Sequence, residues 1–458
     1  MFLDFFNSFP SINYTEIVKS LSVFLEDSFS IIWQIIKNWF WLPLPFFLWK
    51  HFTFIWLWWR QEVFSSKVKN ILLEIKLPDK ISKPIRAMET VMAALRQTLY
   101  QPPNSWEKWI EGQYQFSYSF EIVSIGGKVH FFIRVKEDVR DSVESIIYGQ
   151  FPEVEISIAE DYTKKVPIDI PNKEWDMWGA DYTFLKPNPY PIKTYPYFEK
   201  ETAVEAAEEE KIVDPLANLL EAMSRIQPGE QLWVQIIAKP ITDKEVPWIT
   251  EGKKIKDEIA KREKKKPPRK SIIREAFDLL FFGKVPNSSS EGSKETPMPE
   301  MTLTPGEKEI IKAIENKISK PAFRCNIRFI FLGKRDVFKK SNLRLVFGFF
   351  ASFSMENINY LVPLGKTITK IAKSWFLPLN LLINRRLYMR QRRLFRSYIR
   401  RINTLFPFSE GDYKTGTIVL NVEELATLFH FPSRKTAPAP SLVRIGVKKE
   451  APPQLPTG

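Results

Sequence analysis

The feature that most constrains this chain is a cluster of tryptophans near its N-terminus. Seven of its fourteen tryptophans lie between Trp33 and Trp59, within a run that is otherwise mostly aromatic and aliphatic. A helix over residues 39–59 would reach roughly 30 Å, the thickness of the hydrocarbon core of a bilayer. Tryptophan at both ends of such a helix suits the two headgroup regions. The sequence therefore predicts a transmembrane anchor over residues 38–60, anchored by Trp39, Trp41, Trp49, Trp56, Trp58 and Trp59.

The residues on either side of this run bear on its orientation. Arg60, Lys67 and Lys69 follow it directly, and basic residues gather on the cytoplasmic side of a membrane. We therefore expect a single-pass protein of the bacterial inner membrane whose C-terminal bulk is cytoplasmic. Residues 1–37 carry apolar side chains at helical spacing. They predict an amphipathic helix that lies on the membrane or packs on a partner.

The same run has a second interpretation. It contains two prolines and the pair Lys50-His51, and charged groups are costly in hydrocarbon. A buried hairpin or a re-entrant element is therefore the alternative to a crossing helix. A cleaved secretory signal is not expected, because no basic leader precedes the apolar run.

Length, charge and cysteine content set broad limits on the rest. At 458 residues the chain is long enough for two or three domains beyond the anchor. The net charge of +14 suits nucleic acid, an anionic membrane face or an acidic partner, and composition alone does not choose among them. The single cysteine, Cys325, cannot form an internal disulfide, which agrees with a reducing compartment and a buried structural role.

Residues 70–165 show the pattern of a first folded unit. Alternating apolar residues predict strands, and apolar residues at helical spacing predict helices. Gly126-Gly127 suits a tight hairpin turn between two of the strands. The predicted order is strand, helix, strand, strand, helix, strand, over residues 71–77, 83–99, 116–123, 129–135, 137–148 and 154–158. This is the order of a split βαβ, or ferredoxin-like, unit.

Residues 175–365 repeat this order with an interruption. Thr304-Pro305 with Glu307 has the pattern of a capping box at the start of a helix. Between residues 253 and 270 there are ten basic and three acidic residues, so we expect a charged, disordered insertion over 243–303. The predicted fold is α+β: a transmembrane helix followed by two ferredoxin-like units, the second interrupted. A basic helix with a strand and helix over 366–432 and an extended tail over 433–458 complete the chain.

Patterns that would support catalysis are weak. Gly365-Lys366-Thr367 resembles the end of a P-loop, but the required earlier glycine is replaced by Tyr360. The three histidines are isolated from one another and from the cysteine, so no metal-ligand spacing exists. No nucleophile-elbow motif is present. We therefore expect no catalytic residue, no cofactor and no metal, and a protein that is not an enzyme.

The strongest charge feature lies between residues 357 and 409, which hold eleven Lys or Arg residues and no acid. Within it, residues 385–401 predict a basic amphipathic helix with an apolar stripe. Anionic lipid, DNA phosphates and an acidic partner surface are three open alternatives for its contact. The candidate contact residues are Arg386, Arg390, Arg393 and Arg400.

Several segments together resemble a known family. They are residues 72–78 (LLEIKLP), 84–89, 129–134, 148–156, 160–163, 214–217, 228–235 and 421–432 (NVEELATLFHFP). These segments are similar to the N-terminal, membrane-anchored half of a poorly characterised bacterial family related to type IV secretion and conjugation ATPases of the HerA/FtsK type. In that family, segments like 423–432 and 448–456 lead into a RecA-like motor with a P-loop. This sequence ends at Gly458, so the resemblance implies that the motor is a separate polypeptide that docks here.

These observations lead to a functional hypothesis. The chain is expected to be a non-enzymatic, membrane-anchored scaffold that recruits or positions a separate P-loop ATPase. The candidate docking segment comprises Glu423, Glu424, His430 and Pro432. A membrane-tethered nucleic-acid-binding module using helix 385–401, and the N-terminal part of a split or truncated ATPase, are the alternatives. Whether the chain forms a homo-oligomer is left open.

Overall fold

The structure is a computed structural model that describes residues 14–39, 44–78, 81, 83–199, 214–260, 303–339, 343–373, 382–405, 413–432 and 444–445. The chain divides into two compact units. Unit 1 comprises residues 1–68 together with 103–114, and unit 2 comprises residues 69–102 together with 115–458. Of the predicted segments, most of the insertion at 243–303 and most of the tail at 433–458 lie outside the described residues.

Unit 1 consists of two long helices and a short π-helix. The helices are α1 (Tyr14–Trp39) and α2 (Leu44–Lys67), and the π-helix spans Glu107–Glu111. The π-helix is held on α2 through backbone carbonyls: the Trp56 indole N–H donates to the carbonyl of Trp109 at 2.9 Å. The Arg60 guanidinium donates to the carbonyl of Ile110 at 2.6 Å. Gly112, with φ of 79°, follows the π-helix so closely against α2 that a Cβ there would lie 2.2 Å from the Arg60 carbonyl oxygen.

Unit 1 corrects the predicted membrane topology. No helix within the described ranges is long and apolar enough to cross a membrane. The predicted anchor at 38–60 and the single-pass inner-membrane location are therefore wrong. The predicted span is divided, because α1 ends at Trp39 and α2 begins at Leu44. Lys50, His51 and Arg60 also lie within α2, and the tryptophan indole is itself partly polar.

Unit 2 is built on one large sheet. Its strands are β1 (Asn70–Pro78), β2 (Tyr118–Ile125), β3 (Lys128–Lys136), β4 (Glu155–Ala159), β5 (Trp175–Phe184), β6 (Glu230–Ile241), β7 (Ala322–Lys334), β8 (Leu361–Pro363), β9 (Ile418–Asn421) and β10 (Arg444–Ile445). Its helices are α3 (Ile85–Leu99), α4 (Arg140–Gln150), α5 (Ala217–Ser224), α6 (Trp248–Ile259), α7 (Pro305–Ser319), α8 (Leu343–Ala351), α9 (Ile383–Arg400) and α10 (Val422–Leu428).

The strand order corrects the predicted fold class. Strands β4-β1-β3-β2 and β8-β5-β7-β6 form two halves with the same internal order, and all these pairs are antiparallel. The halves are joined because β2 pairs with β6 over its whole length, from Tyr118 opposite Ala238 to Ile125 opposite Gln231. β9 adds to β7, and β10 adds a short parallel pair to β1. The prediction of a transmembrane helix followed by two ferredoxin-like units is therefore wrong, because one continuous sheet extends beyond two such units.

Helices cover both faces of this sheet. The alternation along β6 is clear: Leu232 and Val234 face a core formed with α3, α4, α5, α8 and α10, whereas Trp233 faces the opposite side. There it packs with Leu394 and Phe395 of α9. One side of the sheet thus carries most of the helices, and α9 crosses the other.

Local signals identified several of these elements. The Gly126-Gly127 turn joins β2 to β3 with φ of 55° and 88°. Thr304 and Glu307 form the capping box at the start of α7. Strand β5 begins at Trp175, where the predicted second unit starts. Helix α6 lies inside the segment that was predicted to be disordered.

Candidate functional site

Helix α9 is seated tightly on the sheet. Leu394, Phe395 and Tyr398 are fully buried against Trp233 and neighbouring strand residues. The helix approaches β5 closely at Gly179, where a Cβ would lie 2.9 Å from Leu394 Cδ2 and 2.6 Å from the Phe329 carbonyl oxygen. Glycine is therefore required at this crossing, and α9 is held in a fixed position.

Arg401 ends α9 in an unusual conformation. Its φ of 54° lies in the left-handed region, which at the C-terminal end of a helix is usually occupied by glycine. The contacts of its side chain account for an arginine at this position: the guanidinium lies 2.9 Å from Glu121 and 2.7 Å from Asp161. Such backbone strain persists only where surrounding contacts hold it in place. Arg401 thus ties the end of the helix to the sheet.

Glu121, in the middle of β2, accepts hydrogen bonds from several buried groups. Ser119 donates at 2.6 Å, Tyr162 at 2.7 Å and the Gln235 amide at 2.9 Å. The Tyr162 hydroxyl also lies 2.8 Å from that of Tyr398. Burial raises the pKa of both tyrosines well above the usual value, aided by the Glu121 charge. We call Arg401, Glu121, Asp161, Tyr162, Gln235 and Tyr398 the Glu121 network.

A second ion pair lies beneath the same helix end. Arg328 Nε is 3.2 Å from Asp181 Oδ1, and both side chains are buried. Arg328 also donates to the carbonyl of Ile402, just beyond α9, at 2.6 Å. Burial lowers the pKa of Arg328, against the opposing charge of Asp181. The contacts of Arg328 help to fix the end of α9, and the Arg328–Asp181 pair is closed to solvent.

The acid stability of the protein is expected to depend on Asp161. Burial acts to raise the pKa of this carboxyl, but hydrogen bonds and charge from Arg401 outweigh burial and hold it below its usual value. A carboxylate with a lowered pKa stabilises the fold above its ordinary pKa, and that contribution is lost as the pH falls through the lowered value. Asp161→Asn should therefore reduce the urea midpoint at pH 6, with a difference that shrinks toward pH 2. A difference that stays constant across this range would contradict the assignment.

The outer side of α9 carries exposed arginines. Arg385, Arg386, Arg396 and Arg400 are exposed and make no side-chain hydrogen bond or ion pair to the rest of the described chain. Their spacing places them on one side of the helix, opposite Leu394 and Tyr398. They extend over roughly 22 Å of helix. We call these four residues the arginine ridge.

The four arginines singled out by the sequence do not share one role. Arg386 and Arg400 belong to the ridge. Arg390 instead donates to the carbonyls of Gly365 and Ile368, and Arg393 donates to the carbonyl of Thr404 at 2.7 Å. Sequence reasoning did not single out Arg385 and Arg396 as contact residues, and counting positions around the helix does not separate Arg393 from the ridge, because Arg393 lies between Arg400 and Arg386 in the helical projection. It also missed Arg401 and Glu121; the carboxylate in an otherwise apolar strand was the available signal.

An open groove lies beside α9. It has a volume of about 520 Å³ and is lined by Asp169, Asn172, Lys173, Arg335, Tyr388 and Gln391, among others. Arg335 is partly engaged, with its guanidinium 3.4 Å from Asp176. The groove therefore holds both signs of charge next to α9, with Lys173 and Arg335 on one hand and Asp169 on the other.

The predicted docking segment is buried in unit 2. Glu423 accepts from Thr194 and Lys320, both at 2.5 Å, and Glu424 lies 3.1 Å from Lys317. Burial lowers the pKa of Lys317 and raises that of Glu424, in each case against the attraction of the partner. These side chains therefore connect α10 to its neighbours.

The last two residues of this segment are also internal. His430 Nε2 lies 2.9 Å from Asp214 Oδ1, and its Nδ1 lies 3.1 Å from the carbonyl of Ala426. Pro432 is buried as well. A docking role for this segment stays a prediction, and its contacts give these side chains structural roles.

The predicted anchor tryptophans lie on both helices of unit 1. Trp39 ends α1, and Trp49, Trp56, Trp58 and Trp59 are exposed to different degrees on α2. Trp41 lies outside the described residues. A tryptophan can lie on the surface of a helix without being inside a membrane. The exposure of so many tryptophans in unit 1 nevertheless needs an explanation.

Comparison with known proteins assigns most of the chain to a domain family. Residues 83–440 match the family described as Domain of unknown function (DUF8128). This match spans most of the chain, so the protein belongs to that family. No curated protein matches it. Neither finding links the chain to type IV secretion, conjugation or HerA/FtsK-type ATPases.

Proposed function

We propose that this protein is a non-enzymatic scaffold that binds an acidic surface of a partner protein through the arginine ridge. The single observation that carries the proposal is the arrangement of α9. Four arginines face outward from a helix that is fixed below by Leu394, Tyr398 and Arg401. The partner is proposed to be a separate P-loop ATPase of the HerA/FtsK type, on the basis of the resemblance of the sequence segments alone.

The chemistry of arginine supports an anionic partner. Guanidinium groups bind carboxylates and phosphates through two parallel hydrogen bonds, and they keep their charge at any physiological pH. Residues 383–400 contain no acidic side chain that would neutralise the ridge internally. Because the helix backbone is already ordered, binding would cost less conformational entropy than binding through a flexible basic tail.

Binding of nucleic acid is the second candidate. The groove next to Tyr388 and Gln391 of α9 is lined by Lys173 and Arg335, and phosphates are ligands for such groups. Nucleic-acid binding would show a steep dependence on salt, with affinity falling as a power of the salt concentration.

Reversal of the ridge charges tests the proposal. In the test variant, Glu replaces Arg385, Arg386, Arg396 and Arg400. This variant is expected to recover at least about tenfold less P-loop ATPase than the wild type, because attraction between the ridge and the acidic groups of the partner is replaced by repulsion. The measurement is affinity capture of the full chain from detergent-treated lysate of its native cells, with identification by mass spectrometry.

The matched control changes the same number of charges elsewhere. Lys253, Lys254, Lys308 and Lys312 are exposed on α6 and α7, and their replacement by Glu should leave capture unchanged. Capture of no P-loop ATPase by the wild type, or equal capture by both variants, would contradict the proposal. Tight binding of a 30-nucleotide duplex by the wild type, lost in the ridge variant and in high salt, would favour the second candidate.

A further inference from the structure

Unit 1 exposes an apolar surface that is unusual for a folded protein. Exposed large apolar side chains of α2 include Phe46, Phe47, Leu48, Trp49, Phe52, Phe54, Ile55, Trp56, Trp58 and Trp59. Folded monomers rarely leave contiguous apolar patches of such extent uncovered, and where they do the patch is an interaction site. The remaining question is which kind of partner fits this surface.

The distribution of exposure around α2 answers part of that question. Four successive residues, Phe46, Phe47, Leu48 and Trp49, are 81, 77, 50 and 65 % exposed. Successive residues of an α-helix point about 100° apart, so the exposed surface surrounds this end of the helix. A protein groove receives one side of a helix, read as side chains three and four residues apart. A surface that is apolar on every side fits a medium that can envelop the helix.

The second segment of unit 1 extends the same surface. Trp106, Trp109 and Ile110, at and within the π-helix, are exposed. They are fixed beside α2 because the Trp56 indole and the Arg60 guanidinium hold the carbonyls of Trp109 and Ile110. The aromatic side chains of α2 and of the π-helix thus form one preassembled surface within unit 1.

Polar groups among these aromatics indicate the depth at which the surface would sit. Lys50 and His51 lie in the middle of the aromatic stretch and are exposed. Tryptophan is the side chain enriched at the boundary between headgroups and acyl chains, where one part of the ring is wet and the other apolar. Lysine reaches the headgroups from such a position by extending its stem. The mixture fits the headgroup boundary better than the hydrocarbon centre.

Helix α1 has the pattern of a helix that lies in a surface. Exposed apolar residues include Phe24, Ile32 and Trp39, and the same helix carries Lys19, Glu26 and Asp27. An amphipathic helix with aromatic and aliphatic residues on one side and charges on the other binds in the plane of a lipid interface.

We propose that unit 1 is a lipid-binding module that lies in the headgroup region of a phospholipid bilayer without crossing it. The contacts are made by the exposed aromatic side chains of α2 and the π-helix and by the apolar side of α1. Basic and acidic residues are mixed within the described part of unit 1, so attachment depends on apolar burial and does not require anionic lipid. It is independent of the arginine ridge in unit 2.

Flotation of the purified full chain with vesicles of phosphatidylcholine and phosphatidylethanolamine tests this inference. The wild type should float with the vesicles at both 0.1 and 0.5 M NaCl, because apolar burial is not screened by salt. The triple variant Phe47→Gln, Trp49→Gln, Phe52→Gln should bind on the order of a hundredfold more weakly, because three large apolar side chains no longer leave water.

A matched control uses exposed apolar residues of unit 2. Ile158, Ile168 and Leu185 are similarly exposed, and their replacement by Gln should leave flotation unchanged. Circular dichroism of both variants establishes that they remain folded. Wild-type protein that stays at the bottom of the gradient, or a triple variant that floats like the wild type, would overturn the inference.

Two further measurements distinguish binding at the headgroup boundary from deeper insertion and from self-association. Lipids brominated close to the headgroup should quench tryptophan fluorescence more than lipids brominated near the chain ends; stronger quenching by the latter would overturn placement at the boundary. Sedimentation without vesicles addresses a second copy of the chain. A stable dimer that ignores vesicles and dissociates in the triple variant would show that the surface is a self-association interface and would also overturn the inference.

Discussion

Replacing Arg401 by leucine is expected to lower the free energy of unfolding by about 3–5 kcal/mol, as is typical when one partner of a buried ion pair is removed. The Arg401 side chain is almost fully buried and contacts both Glu121 and Asp161. Without the guanidinium, Glu121 would remain as a buried charge in the centre of β2, and its remaining hydrogen bonds would come from the neutral groups of Ser119, Tyr162 and Gln235. The left-handed backbone of residue 401 would also lose the contacts that hold it. Urea denaturation followed by circular dichroism measures this loss.

A second substitution isolates the electrostatic part of the effect. In the double variant Arg401→Leu, Glu121→Gln, the uncompensated charge is absent, so much of the lost stability should return. Arg401→Lys should lie between wild type and leucine, because lysine keeps the charge but cannot bind two carboxylates with a planar fork. A leucine variant within about 1 kcal/mol of the wild type would show that the Glu121 network does not hold α9 as described.

Replacing Lys317 by methionine is expected to lower the free energy of unfolding by a similar amount, about 3–5 kcal/mol at neutral pH. Lys317 and Glu424 are both fully buried, with their charged groups 3.1 Å apart. Burial raises the pKa of Glu424, and the Lys317 charge opposes this rise. Removing the lysine takes away that opposition, so the carboxylate is left with hydrogen bonds from Ile192 and Asn421.

The pH dependence of this variant follows from the sign of the shift. A carboxyl whose pKa is raised in the folded state binds more protons there than in the unfolded chain, so stability falls as the pH rises through the raised value. The Lys317→Met variant should therefore be less impaired at pH 5 than at pH 8. Adding Glu424→Gln should restore most of the stability and remove the dependence on pH. A Lys317→Met variant that is equally stable at pH 5 and at pH 8 would rule out Glu424 as the source of the loss.

Local structure could be predicted because it depends on neighbouring residues. The capping box at Thr304 and Glu307 closes its hydrogen bonds within four residues, and the two glycines at 126 and 127 supply the positive φ angles of the turn themselves. The buried stripe of α9, which includes Leu394 and Tyr398, follows from helical periodicity. These features require no knowledge of the rest of the chain.

Long-range pairing is where prediction from the sequence went wrong. Nothing in the residues 118–125 and 230–241 specifies that they pair, because many apolar strands would be acceptable partners in an antiparallel ladder. The roles of charged residues were equally hidden. Arg390 and Arg400 look alike in the sequence, yet backbone carbonyls that are distant in the chain bind Arg390, whereas Arg400 stays exposed.

By itself, the sequence determined the capped start of α7, the turn glycines, the apolar side of α9 and the concentration of tryptophan in α1 and α2, because propensity, capping and periodicity act over a few residues. Only the tertiary structure decided that one sheet joins both halves, that Glu423, Glu424 and Arg401 are internal, and that four arginines face outward from α9. The physical reason is that the fate of a charge depends on desolvation and on partners brought near by folding, often more than a hundred residues away in the chain.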